Sequence, residues 1–295
     1  MSMVQDAGAL VRIFPEALVC GTVMAAVCGA FGVFVVLRRI VFISIALSEA
    51  ATCGLALALL CRLPPLACSA LVTAVAVLLL TIPDRRQRLP KDVTLGAVFL
   101  LASSASVLLV AQSGVGLEEI KAMLYGDVII CGPRDRWTLL LTGLPALAAL
   151  LLFLRPMVYA FLDREAATVM GIRCWLWEGV FFFLLGLVVS GASKSGGALL
   201  TFCHLLLPAA TALLLTRRLW AALAAAMALA IATTWAGLLT AYRADLPANP
   251  TIIGTACILF TAVVLARAVL SLLLRGSRSV EIETNRAPSN LSPVD

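Results

Sequence analysis

Apolar runs of about 20 residues, long enough to carry an α-helix across a bilayer, follow one another along most of this chain. On that basis the sequence predicts about nine spans, near Phe14–Leu37, Val41–Cys61, Leu63–Pro83, Val93–Gln112, Trp137–Leu154, Trp175–Ser193, Gly197–Thr216, Leu219–Ala241 and Ile252–Leu274. The 295 residues are 62% hydrophobic and 13% charged, with a mean hydropathy of +1.06. A soluble protein is about 45–50% apolar and about a quarter charged. The expected fold class is therefore all-α, a polytopic membrane helix bundle forming a single domain over residues 1–275. No length remains for a second soluble domain of ordinary size.

The remaining segments are short. Residues 117–130 begin polar and turn apolar, as an amphipathic or re-entrant piece would. The tail 276–295 is rich in Ser, Pro and charge without periodicity, and is expected to be disordered and cytoplasmic. The N-terminal stretch lacks a basic n-region and a small-residue cleavage site, so the first span is expected to be retained. Arginines and lysines are unevenly shared between the two sets of loops. One set carries Arg38, Arg39, Arg85, Arg86, Arg88, Lys91, Arg155, Arg164, Arg173, Arg217, Arg218, Arg275 and Arg278. It outweighs the other by roughly 13 to 7, which makes it the cytoplasmic set and puts the N-terminus outside and the C-terminus inside. Trp137, Trp175, Trp177, Trp220 and Tyr242 fall near span ends, where amphipathic rings anchor to the bilayer interface.

The net charge of +6 is spread over these loops, with no aromatic-interleaved basic patch, so nucleic acid is not an expected partner. Most of the nine cysteines lie inside spans and none forms a CxxC pair. They suit packing better than a disulfide framework or a thiolate metal cluster. Gly21, Ala25 and Gly29, and the alanines of residues 221–232, offer the small faces on which membrane helices approach closely.

Two features exceed packing. Glu49 is the one charge between Val41 and Cys61. An acidic side chain at membrane depth costs on the order of 2.5–3.5 kcal/mol and commonly marks an ion or substrate path. The alternative is a hydrogen-bonded Glu that locks two helices. The second feature is the segment at about 156–173. Asp163 can cap a short helix and Glu165 suits its first turn. Gly171 suits a left-handed stop. Ala166, Ala167, Val169 and Met170 would form a small apolar surface, offered either to a partner or to lipid headgroups.

Asp163, Glu165, Ala167 and Gly171 stand in the run DREAATVMG, which resembles the coupling segment of the metal-type (zinc, manganese or iron) ABC importer permeases. GVFVVLRR at 32–39 with Ala46, Leu47 and Ser48, LYGDVI at 124–129, LLLPAATALLL at 205–215 and DLPANPTI at 245–252 are similar to further motifs of that family, in the family's order. The resemblance covers about residues 20 to 270. It implies a type II importer-like permease that performs no bond chemistry and holds no permanent cofactor. Its cargo would be a divalent metal, and ATP would act on a separate cytoplasmic ATPase. A second permease subunit, identical or a sister, would complete the channel, and an extracytoplasmic protein would deliver the metal. The setting implied is a bacterial cytoplasmic membrane. Asp163, Arg164, Glu165, Ala167, Met170 and Gly171 would meet the ATPase.

The chain departs from the family pattern in two places. In the second span, Ile45 and Glu49 stand where most members carry Asp and His. Oxygen ligands suit hard cations such as manganese. Asn249 replaces a loop glycine, and Asn tolerates a left-handed backbone. The one histidine, His204, lies in the seventh span. It either meets Glu49 across the bundle to restore a metal site, with Ser48 or Cys203 beside it, or makes a helix–helix hydrogen bond. Pro208 frees the carbonyl of His204, as in the broken helices of transport sites. Ser48, Cys203 and Pro208 are therefore expected along the path. Two alternatives use the same residues: a stand-alone proton-coupled carrier working through Glu49, and an ABC permease for a chelated metal or another small cation. A membrane enzyme would need an HExxH or Ser/His/Asp set that the sequence lacks.

Overall fold

A computed structural model describes residues 11–81, 91–112, 128–162, 164–171 and 173–284. Its helices are α1 Pro15–Leu37, α2 Val41–Cys61, α3 Pro65–Thr81, α4 Lys91–Gln112, α5 Pro133–Leu152, α6 Leu154–Leu162, α7 Arg164–Val169, α8 Cys174–Leu215, α9 Leu219–Ala244 and α10 Ala248–Thr284, with a 3₁₀ turn at Val128–Ile130 before α5. There are no strands among the described residues, so the all-α expectation holds.

Among the described residues, six helices are long and apolar enough to cross a membrane: α1, α2, α5, α8, α9 and the Ala248–Leu270 part of α10. The described apolar parts of α3 and α4 run from Pro65 to Leu78 and from Leu95 to Val110. The expected sixth and seventh runs lie in one 42-residue helix, α8, interrupted at Gly197 (φ 77°, ψ 164°). That backbone region is essentially closed to residues with a Cβ. The chain folds back there. Phe181 packs on Phe31 and Phe34 of α1, with ring centroids 5.8 and 5.9 Å apart. A Cβ on Gly32, between those two rings in sequence, would stand 2.1 Å from the Leu205 carbonyl oxygen. An unbroken helix would carry residues 181 and 205 about 36 Å apart, while residues 31 and 34 are about 5 Å apart along their axis. Only a reversal at Gly197 brings both legs of α8 to one level of α1.

Helix α1 is the centre of the bundle. It packs against both α8 and α9, with α5 on a further side. Its small residues make this possible: a Cβ on Gly29 would touch the Ala226 carbonyl oxygen at 3.0 Å, and Gly21 faces Thr234. Pro15 opens α1, where its missing N–H costs nothing. The helix ends in paired hydrogen bonds, Ile40 N–H to Val35 O and Arg39 N–H to Val36 O, both 3.0 Å, with Arg39 left-handed at φ 57°. This is the six-to-one closure usually built on glycine. It turns the chain at once into α2, which packs on α4, α3 and α8 but barely touches α1.

Two expectations fall partly outside the described residues. The last helix runs past Gly276 to Thr284, with no proline before Pro288 to stop it; residues 285–295 lie outside the described set. The start of the 117–130 segment and most of the 124–129 motif also lie outside it.

Candidate functional site

Helix α2 is sealed on every side but one. From Ser44 to Ala58 the residues that are not buried are Ile45, Glu49, Cys53 and Leu57, one every fourth position. They form a single seam. Buried Ser44, Ser48 and Thr52 turn their hydroxyls onto their own helix, donating to the carbonyls of Val41, Ser44 and Ser48 at 2.6, 2.9 and 3.0 Å. Ser48 thus has its donor spent inside α2.

Glu49 is the polar member of the seam. The Ser103 hydroxyl of α4 hydrogen-bonds its carboxyl group. The other oxygen, Oε2, is buried and meets no donor. A buried acceptor without a partner costs about 1–3 kcal/mol, more if charged. Glu49 sits about 12 Å from the start of α2 and about 18 Å from its end at the helical rise.

His204 is held elsewhere. It is 1% exposed, on the second leg of α8. Its Nδ1 lies 3.0 Å from the Leu200 carbonyl oxygen and its Nε2 lies 2.7 Å from Thr234 Oγ1 of α9. A carbonyl only accepts, so Nδ1 carries the proton and, in the neutral ring, Nε2 accepts from the Thr234 hydroxyl. Both ring nitrogens are thus engaged, Nδ1 within α8 and Nε2 across to α9. Cys203 is buried. Pro208 is buried inside the helix, but the break in α8 is at Gly197. No group of three or more His, Cys, Asp or Glu gathers as a metal site among the described residues. A cavity of about 310 Å3 between the start of α1 and the end of α9 is lined by Phe14, Leu18, Leu238 and Tyr242, among others, and by none of the expected path residues.

At one end of the bundle α6 and α7 stand between α5 and α8. Asp163, the expected cap, lies outside the described residues. Gly171 takes the left-handed stop at φ 72°. The short helix does not present all its apolar residues outward. Ala167 is fully buried, whereas Val169 is 89% and Met170 53% exposed, with Glu165 exposed beside them. Six residues make less than two turns, so one side must face the bundle, and an alanine sits there. Arg38, the last residue before the turn into α2, ties this end together. Its Nη2 lies 2.6 Å from Glu178 Oε1 on α8, and its guanidinium carbon lies 4.4 Å from the ring centroid of Phe161 on α6.

The opposite end carries a polar cluster that the sequence did not announce. Glu16 pairs with Arg136 at 2.8 Å, and Asp135 with Lys194 at 3.0 Å. Asn249 is 2% exposed. It is helical, in the first turn of α10, and the left-handed residue of this loop is Asp245 at φ 53°. Its amide donates to the Gly196 carbonyl at 2.9 Å, and its Oδ1 accepts from the Val128 N–H at 3.2 Å. The loop-glycine reading of this position is therefore replaced by a side-chain bridge across the break in α8.

A bundle of apolar helices, with a carboxylate on the one open seam of α2 and a short half-exposed helix between two of its members at one end, is the build of a multi-pass membrane permease. The chain belongs to the ABC 3 transport family, whose profile matches residues 11–267. It is 26% identical over 271 residues to the manganese transport system membrane protein MntC of Halalkalibacterium halodurans, covering 90% of this chain and 92% of that protein. It is 27% identical over 247 residues to the manganese import system permease protein ScaB of Streptococcus parasanguinis, covering 83% and 87%. The solved structure of PsaBC from Streptococcus pneumoniae in complex with Fab shares the fold, with a TM-score of 0.81 at 21% identity over 88% of this chain and 95% of that one.

Proposed function

We propose that this chain is the membrane-spanning subunit of an ABC importer for a divalent metal ion, with manganese ahead of zinc and iron as its cargo. The observation that carries this reading is the Glu49 carboxylate. It has a buried oxygen without a donor, on the one open seam of an otherwise sealed helix. A cation entering that seam would meet a carboxylate and the Ser103 hydroxyl, an oxygen set that suits a hard ion. The names of the near full-length relatives point to the same cargo.

The remaining assignments depend on this reading. The domain is residues 1–275, with the coupling segment at about 156–173. Val169, Met170 and Glu165 face a cytoplasmic ATPase, and Ala167 and Gly171 seat and end the helix that carries them. A second permease subunit, a further copy or a sister chain, covers the open seam of α2. An extracytoplasmic protein delivers the metal, and the chain sits in a bacterial cytoplasmic membrane with its N-terminus outside. Among the expected ligands we assign Glu49 to the path and His204 to the clamp between α8 and α9.

The test is reconstitution of the permease with its ATPase and binding protein in proteoliposomes. ATP-dependent uptake is measured across manganese, zinc, iron(II) and calcium. Manganese uptake that needs ATP is the expected result. Uptake by the permease alone, driven by a proton gradient, would replace this reading with a carrier.

A further inference from the structure

Arg38 touches both chain segments that flank α7. Phe161 is the residue before the last of α6, and Glu178 lies in the second turn of α8. The guanidinium lies over the ring of the first at 4.4 Å and pairs with the carboxylate of the second at 2.6 Å. Phe161 in turn packs on Phe181, at 4.9 Å between centroids, and on Phe34, at 6.1 Å. The two ends of the segment carrying α7 are thus joined to each other and to α1 through one side chain. Side-chain exposures of 20% for Arg38 and 18% for Glu178 make this a half-buried pair, less screened than a surface contact.

The chain leaving Arg38 is equally constrained. Arg39 is left-handed at φ 57°, Ile40 closes the turn, and α2 begins at Val41. A left-handed non-glycine residue, closed by the two 3.0 Å hydrogen bonds, is a stiff corner rather than a slack link. Displacement of the α6–α7 segment therefore pulls on the residue at the root of α2, and Glu49 lies about 12 Å further along that helix.

We propose that Arg38 is the positioning residue through which movement of the α6–α7 segment reaches α2, by way of its joint grip on Phe161 and Glu178. Both contacts are needed. The ion pair fixes α8, and the planar group fixes α6, which a lysine ammonium would do poorly. This inference rests on the importer reading.

The experiment uses the assembled transporter in proteoliposomes and reads ATP hydrolysed per manganese ion transported. Arg38→Gln and Glu178→Gln are each expected to raise that ratio several-fold while ATPase co-purification and thermal unfolding stay near wild type. The double variant should be no worse than either single one. Exchanging the charges, Arg38→Glu with Glu178→Arg, should recover part of the coupling. Arg38→Lys keeps the charge and folds most readily; it should raise the ratio by less than Arg38→Gln but clearly above wild type. An unchanged ratio in assembled Arg38→Lys and Glu178→Gln transporters, or additive effects in the double variant, overturns the proposal and leaves Arg38 a staple. Failure of the wild-type permease to hold any ATPase instead removes the importer reading, and the inference with it.

Discussion

The side-chain amide of Asn249 donates to the carbonyl of Gly196, 2.9 Å away, just before the point where α8 folds back. The reversal at Gly197 interrupts the helical ladder, and α10 supplies the missing partner through its first turn. The same side chain accepts from Val128 N–H at 3.2 Å, so one residue stitches α10, α8 and the 3₁₀ turn together.

Asn249→Ala leaves a buried carbonyl and a buried N–H without these partners. Each costs about 1–3 kcal/mol, so a clear drop in the thermal unfolding midpoint of the detergent-solubilised protein is expected. Asn249→Gly should fall as far, because a glycine offers no bridge. A midpoint unchanged in Asn249→Gly would show that the bridge contributes nothing.

The two faces of α7 give opposite expectations. Ala167 is fully buried, so Ala167→Leu overpacks its seat at a cost of about 1–3 kcal/mol and dislodges the helix. The unfolding midpoint and ATPase co-purification should fall together. Val169→Asp and Met170→Asp alter exposed side chains. They should weaken co-purification of the ATPase while leaving the midpoint in place. Retention of the ATPase by the Val169→Asp, Met170→Asp double variant would remove this face from the docking surface.

His204 has both ring nitrogens engaged by Leu200 and Thr234. His204→Ala removes the bond between α8 and α9 and should cost about 1–3 kcal/mol in stability. The order of preference among manganese, zinc and iron(II) in uptake should stay as in wild type. A changed order would place the imidazole on the metal path.

Much of this architecture could be read from residue types because the bilayer imposes a simple rule: apolar runs become helices. The boundaries of α1 and α2 and the glycine stop after α7 follow from that rule and from backbone preference. The left-handed corners at Arg39 and Arg62 did not, because arginine does not announce them; like the one at Asp245, they are closed by backbone hydrogen bonds such as Ile40 N–H to Val35 O, Leu63 N–H to Ala58 O and Leu246 N–H to Ala241 O. The fold-back at Gly197 was legible only as a gap between two runs. Glu49 stood out through the cost of its charge, but its seam depends on which neighbours cover the other sides of α2. His204 fits two readings from sequence, since sequence alone does not place Thr234 beside it. The signal for Arg38 was present in the GVFVVLRR run, yet its partners Phe161 and Glu178 lie far along the chain and only the fold brings them close.

The measurement that bears most directly on the account is the initial rate of ATP-dependent manganese uptake, at limiting metal, by reconstituted Glu49→Gln transporter against wild type. The neutral amide keeps the size of the side chain and a hydrogen bond with Ser103, so folding and ATPase binding should hold. A fall in uptake of about tenfold or more, equivalent to at least roughly 1.4 kcal/mol, is expected. Wild-type uptake from the Glu49→Gln protein would contradict the claim that the cargo passes this carboxylate.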